Sequence, residues 1–195
     1  MSDELPPLTR IVEGRIVPIA GTWELDGLHT HTGFGIRHLL TLMRGRFRQQ
    51  SGTIVITDNP SQSTVRVTIE AASVDTTHPQ ADDTIRGEML LDVEAHPQIT
   101  FVSTSVTPAE NGRWHIAGDL TVKGTSRSVV LDTEFLGAVH HPMGGQQKMS
   151  FSASTTIERT QFGIGADFEV ADNKGVLVIG NKIDLQIDVE ADLQQ

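Results

Sequence analysis

From about residue 22 onward, apolar and polar side chains alternate along the chain, the mark of β-strands with one buried face. The last segment shows the pattern most cleanly, with Ile183, Leu185, Ile187, Val189 and Ala191 interleaved with Asp184, Gln186, Asp188, Glu190 and Asp192. The same period sets Val65, Val67 and Ile69 against Thr64, Arg66 and Thr68, and Trp114, Ile116, Leu120 and Val122 against His115, Asp119 and Thr121. Val129, Leu131 and Phe135 oppose Ser128, Asp132 and Glu134, with Val130 interrupting, and Met149, Phe151, Ala153 and Ile157 oppose Ser150, Ser152, Ser154 and Glu158. Turn residues separate the runs at Asp58-Asn59-Pro60, Asn111-Gly112, Lys123-Gly124 and Pro142-Met143-Gly144-Gly145. One stretch, residues 80–96, lacks the alternation and predicts one or two short helices, the first capped by Asp82 or Asp83, before Pro97 leads into a strand over Ile99–Val106. About eight or nine strands joined by short turns predict an all-β, mainly antiparallel fold, closed into an eight-stranded barrel so that no edge is left unpaired. Residues 1–20 precede the pattern and read as a flexible or loosely docked arm, and residues 21–195 as the barrel domain.

Composition narrows the function classes. The 195 residues carry 15 basic and 25 acidic side chains, a net charge of -10, which argues against a general nucleic-acid binder with its basic footprint. A hydrophobic content of 37% suits a folded globular domain rather than a disordered chain. The absence of cysteine removes disulfides, thiol nucleophiles, iron–sulfur clusters and cysteine-ligated zinc. Uncharged apolar runs such as Gly175 to Gly180 are far too short to span a membrane. Ile16 to Gly21 is likewise too short for the core of a secretory signal, so the expected location is the cytoplasm.

Candidate chemistry is sparse. There is no phosphate-cradling Gly-x-x-x-x-Gly-Lys and no Gly-x-Ser-x-Gly elbow, and Gly33-Phe34-Gly35 and Gly163-Ile164-Gly165 lack the third glycine of a dinucleotide loop. His29 and His31 have the spacing to share a strand face, either to hold zinc or copper or simply to face solvent. Parity with Phe34 and Ile36 turns His38 inward, as a histidine bonded to a backbone carbonyl or as a donor to the head of a ligand. Residues 27–57 hold Arg37, Arg44, Arg46 and Arg48 and no acid, and the last three share a strand face. That row is either an anion site at a rim or an outer face paired across strands with Asp184, Asp188, Glu190 and Asp192. An eight-stranded barrel is wide enough to fill with side chains or to hold one small ligand. The inward set of Val, Ile, Leu and Phe, with no Tyr in the chain, is compatible with either.

Several short motifs in order carry a family resemblance. Gly21-Thr22-Trp23-Glu24-Leu25-Asp26 leads to His29-Thr30, Phe34-Gly35-Ile36-Arg37-His38, Gly45-Arg46-Phe47 and Gly52-Thr53-Ile54. Ser73-Val74-Asp75-Thr76, Arg86, His96-Pro97-Gln98-Ile99-Thr100-Phe101, Gly118-Asp119-Leu120-Thr121-Val122-Lys123-Gly124 and Phe162-Gly163-Ile164 continue the series. Over residues 21–191 the chain resembles the YceI-like, polyisoprenoid-binding family. It departs from that family's pattern at Thr30, at Glu88-Met89-Leu90 and at Gln161. The resemblance implies a bacterial, lipocalin-like antiparallel barrel whose hydrophobic pore takes a polyprenyl chain or a comparable amphiphile. It implies no catalytic residue, cofactor or metal. The expected ligand is a polyisoprenoid, a quinone or a fatty-acid-like molecule, bound for transport, storage or sequestration. Parity nominates Phe34, Ile36, Phe47, Val67, Ile69, Trp114, Leu131, Phe135 and Phe151 as pore wall, His38 as head-group contact, and Arg37 or Arg86 at the rim. Two other readings stay open: an enzyme acting on a lipid or quinone with His38 as its acid–base group, and a closed barrel working through its surface, for instance as a homodimer.

Overall fold

The computed structural model describes residues 7–165 and 179–194, so residues 175–178 of the apolar run near the C-terminus lie outside the described residues. The alternation resolves into strands β1 (Thr9–Val12), β2 (Arg15–Pro18), β3 (Gly21–Leu25), β4 (His31–His38), β5 (Thr41–Phe47), β6 (Gln50–Ile56), β7 (Thr64–Glu70) and β8 (Val74–Asp75). After the helix α1 (Pro79–Arg86) come β9 (Gln98–Pro108), β10 (Trp114–Val122), β11 (Thr125–His140), β12 (Gln147–Glu158) and β13 (Ile179–Leu193). All pairings are antiparallel, and the ring closes where β13 meets β12, from Ile157↔Ile183 to Lys148↔Asp192. On its other side β13 carries β4 along its first half, with Leu185 opposite Phe34, and β3 along its last residues, with Ala191 opposite Leu25. β3 with β4, and β5 with β6, are therefore two walls, each interrupted by a bend. With β7, β9, β10, β11, β12 and β13 they make the eight walls of a closed barrel, and β8 adds a two-residue bridge to β5 at Arg46↔Asp75. Two close approaches require glycine. A β-carbon on Gly118 would lie 2.5 Å from the Phe101 ring and 2.7 Å from the Val102 carbonyl, and the Phe34 ring covers Gly45 in the same manner.

The helix, Pro79–Arg86, overlaps the excursion expected over 80–96 and begins one residue before it, and its cap differs. Pro79 opens α1 at a position where no N–H is needed, and the preceding His78 is the N-cap. Asp82 lies a turn further in, where it is buried and accepts hydrogen bonds from both the backbone N–H and the hydroxyl of Thr76, each at 2.7 Å. Asp83 pairs with Arg86 at 3.0 Å on the exposed side. Neither aspartate caps the helix. Beyond α1 the chain makes a series of turns that bury Leu90 and Leu91 against one end of the barrel, with Phe162 and Ile164 in the same cluster.

The other end is covered by the segment expected to be a flexible or loosely docked arm. β1 and β2 form a hairpin whose two-residue loop, Glu13-Gly14, has φ of +50° and +76°, the twist that matches the flanking strands. Val17 is only 2% exposed and packs with Val106 and Trp114. The Arg15 guanidinium lies 5.5 Å from the centre of the Trp114 ring and donates to the carbonyls of Ala109 (2.7 Å) and Arg113 (3.3 Å). Arg10 does the same for Thr57 (2.5 Å) and Asp58 (2.8 Å). These are charge-assisted bonds to main-chain oxygens, which hold the hairpin down without extending the barrel ladder.

Candidate functional site

The barrel encloses a cavity of about 1960 Å³, counting all space free of atoms including that open to solvent. Its lining comes from the inward parity of all eight walls: Phe34, Ile36, Phe47, Val67, Ile69, Trp114, Leu131, Phe135 and Phe151 all line it. The first two sit opposite Gly45 and Met43 on β5, and Phe34 and Phe47 meet with ring centres 5.8 Å apart. Phe135 and Phe151 form a second tilted pair at 5.1 Å where β11 and β12 pair. Inward side chains of β13, namely Ile183, Leu185, Ile187 and Val189, are half-buried, as residues facing an open interior are, whereas Ala191 at the strand end is fully buried. The barrel is not packed shut. Val17 and Pro18 of the hairpin line one end, and Ile85, Leu90 and Leu91 of the helical excursion line another part.

Polar groups in the wall are few. Thr32, Ser63, Thr133 and Thr155 contribute hydroxyls, and Arg159 is the sole charged lining residue among the described residues. Arg159 is 1% exposed and donates from Nε to the carbonyl of Gly180 (3.1 Å), and from its terminal nitrogen to those of Ile164 (2.8 Å) and Gly165 (2.5 Å). It had gone unnoticed in the sequence, although it stands two residues after inward-facing Ile157 and so shares its parity.

The polar candidates fall elsewhere. His38 keeps the parity of Phe34 and Ile36, but it is exposed and does not line the cavity. It is the last residue of β4, paired with Thr41 beside the turn on one side and with Ile179 of β13 on the other. Arg86 is committed to structure: its guanidinium donates to the carbonyls of Ala72 and Val74, both at 2.9 Å, and to Asp83, pinning α1 to the chain before it. Arg37 is exposed, with its guanidinium 3.5 Å from the carbonyl of Leu40. Arg44, Arg46 and Arg48 do face outward, but Arg46 and Arg48 pair with Asp75 at 3.4 and 2.6 Å rather than with the acidic row of β13. The reason is topological, since β4 lies between β5 and β13. The Asp75 carboxyl is held below its ordinary range by the Thr77 backbone N–H and then by these arginines.

His29 is not on a strand but in the bend between β3 and β4, where its Nδ1 lies 2.7 Å from Asp26. Asp26, His29 and Glu190 bring three donor atoms within 4.8 Å of one another. A cation is already built in, however: the Lys148 ammonium lies 2.7 Å from Asp26, 2.9 Å from Asp192 and 3.8 Å from Glu190. Burial raises the Asp26 pKa, but hydrogen bonds from Lys148 and His29 outweigh it and hold the carboxyl well below the usual range. The Asp26 contact raises the pKa of His29. The cluster is a lysine-centred seam joining β12, β13 and the β3–β4 bend, and His31 takes no part in it.

Among the described residues no helix is long and apolar enough to cross a membrane. The model of the YceI-like domain family matches residues 23–191. Protein YceI of Salmonella arizonae is 34% identical over 165 residues, covering 83% of this chain and 85% of that one. The crystal structure of Burkholderia cenocepacia BcnA superposes with a TM-score of 0.73 at 20% identity, over 85% of this chain and 98% of that one. A polyisoprenoid binding domain from Saccharophagus degradans, described as implicated in plant cell wall breakdown, gives a TM-score of 0.66 at 14% identity, over 90% of this chain and all of that one. Both structures share the barrel fold. The match over residues 23–191, with the relative at 34% identity, places this chain in the YceI-like family.

Proposed function

We propose that this protein binds a long-chain isoprenoid or similar amphiphilic lipid inside its barrel, for transport, storage or sequestration, and does so without chemical conversion. The observation that carries this reading is the long apolar cavity, lined from every wall and holding a single charged side chain among the described residues. Burying one methylene is worth about 0.8 kcal/mol, so a tail of roughly forty carbons offers on the order of 30 kcal/mol. Non-covalent affinity saturates near about 20 kcal/mol, so ordering the tail and imperfect fit consume much of that gain. Binding of this kind retains a lipid tightly yet discriminates poorly between tails, which suits a carrier. An exposed His38 that does not line the cavity gives no support to an acid–base role on a bound lipid.

The test is native mass spectrometry of freshly purified protein, followed by solvent extraction and loading of lipid-free protein with a long-chain polyprenol. One lipid per chain is expected. Phe151→Asp sets a charge in the wall beside Phe135 and should abolish uptake while circular dichroism reports a folded barrel. Undiminished uptake by that folded variant, or failure of the wild type to take up polyprenol, quinone and fatty acid alike, would overturn the reading.

A further inference from the structure

The turn between β4 and β5 goes against the preference its geometry sets. His38 pairs with Thr41, leaving Leu39 and Leu40 as a two-residue loop, and Leu39 adopts a left-handed backbone with φ of +52°. Tight hairpin loops place Gly, Asn or Asp at such positions, because a side chain with a β-carbon is strained there. Leu39 recovers only part of this by packing, being 48% exposed, while Leu40 is 86% exposed and Leu42, next on the outer face, 41%. Three leucines at a strained, solvent-facing turn do not serve folding, and strain of this kind points to function.

Their charge surroundings say what the turn meets. The chain has a net charge of -10, yet residues 27–57 hold four arginines and neither Asp nor Glu. Two of the four flank the leucines. Arg37 is paired across the ladder with Leu42, and Arg44 lies opposite Gly35, over which the Leu42 side chain leans. Both are exposed, and among the described residues neither has a carboxylate partner, whereas Arg46 and Arg48 are held by Asp75. Gly33 and Gly35 place no side chain on this face, so on β4 and β5 leucine and arginine make up its surface near the turn, with Asp184 of β13 next to it opposite Gly35. On the opposite face of the same two strands, the cross-strand pair Ile36 and Met43 lines the cavity. Apolar side chains at a tip with guanidinium groups behind them complement the acyl boundary and the phosphates of an anionic bilayer.

We propose that the β4–β5 turn docks this protein onto anionic phospholipid membranes, with Leu39, Leu40 and Leu42 entering the bilayer surface and Arg37 and Arg44 meeting its phosphates. The inference goes beyond lipid binding in the barrel and does not depend on it. It is tested by flotation with vesicles of pure phosphatidylcholine and of phosphatidylcholine mixed with phosphatidylglycerol. Binding is expected to the mixed vesicles alone and should weaken as salt rises. Leu39→Gly combined with Leu40→Asn suits the turn and keeps the hairpin, yet should reduce partition by more than about tenfold. Arg37→Gln with Arg44→Gln should reduce it by about tenfold or more and flatten the salt dependence. Equal binding to both vesicle types, no binding to either, or unchanged binding by both variants would overturn the proposal. So would analytical ultracentrifugation showing a wild-type dimer that the leucine variant renders monomeric, which would reassign the face to self-association. Polyprenol loading in detergent, measured on the same samples, reports separately on the barrel.

Discussion

Replacing Lys148 by Met removes the single ammonium at the seam while keeping the length of the side chain. Lys148 is 11% exposed and Asp26 17%, with contacts of 2.7 and 2.9 Å to Asp26 and Asp192 and 3.8 Å to Glu190. Exposed pairs contribute about 0–1 kcal/mol, and breaking a fully buried one costs about 3–5. A mostly covered cluster at the end of a barrel falls between these limits, so a loss of about 2–3 kcal/mol is expected near neutral pH. For a chain of this size that corresponds to a fall in Tm of roughly 4–12 °C. The dependence on pH is more diagnostic than the magnitude. In the wild type the pKa of Asp26 is lowered, so its contribution is present above the unfolded value of about 4 and is lost only as pH falls through the folded value. In Lys148→Met, Asp26 keeps His29 but loses the ammonium that does most to hold its carboxyl low, and it is left beside Glu190 and Asp192, so it takes up a proton at higher pH than in the wild type. The folded variant then binds more protons than the folded wild type, so its deficit should narrow as pH falls from about 6 to about 4.5. Urea unfolding of both proteins at a series of pH values measures this. A deficit that stays constant or widens on acidification would refute the reasoning.

Three further outcomes follow from the same structure. His29→Ala should destabilise the protein below about pH 6.5, and the loss should disappear as pH rises through the raised pKa of His29; equal losses in melts at pH 5.5 and 8.5 would count against the Asp26 contact. Asp82→Ala should cost about 1–3 kcal/mol by leaving the buried Thr76 N–H unpaired and its hydroxyl with only the longer bond to the His78 carbonyl, while Asp83→Ala stays within about 0.5; equal effects in denaturant titration would refute the assignment. Gly118→Ala should cost about 1–3 kcal/mol by driving a methyl into the Phe101 ring and the Val102 carbonyl. Adding Phe101→Leu should return part of that loss in thermal melts, and a purely additive double variant would show the ring contact to be irrelevant.

Period-two alternation was enough to read the barrel and most of its lining, because a strand with one buried face writes its parity directly into the chain. Ile183 to Ala191 is the clearest instance. Parity fixes the phase of a residue but not whether anything covers it at a strand end, which is why His38 shares the phase of Ile36 and is still exposed. Partners across the sheet follow from topology: the arginines of β5 could reach the acids of β13 only if β4 were not between them. Arg159 was legible in principle from its distance to Ile157, but a charged residue ending an apolar row reads naturally as the end of a strand. The hairpin over residues 9–18 gave the weakest signal. Its strands are four residues each, and Glu13-Gly14 is a poorer turn signature than Asn-Gly. The polar bend from Asp26 to Thr30 divided one wall into two strands, one reason why there are more strands than walls.

That hairpin belongs to a sheet of its own, separate from the barrel. Among the described residues it is fastened by apolar contacts and by arginine bonds to carbonyls, with no backbone ladder to the walls. Its release therefore breaks no strand pairing in the ring, and its opening free energy is set apart from that of global unfolding. In hydrogen-exchange terms, the β1–β2 amides form a separate unit that should lose protection together, well before those of β9 to β13. Because Val17 and Pro18 also line the cavity, a molecule filling that end would slow exchange in the hairpin, so the protection of these few amides would report occupancy of the whole barrel.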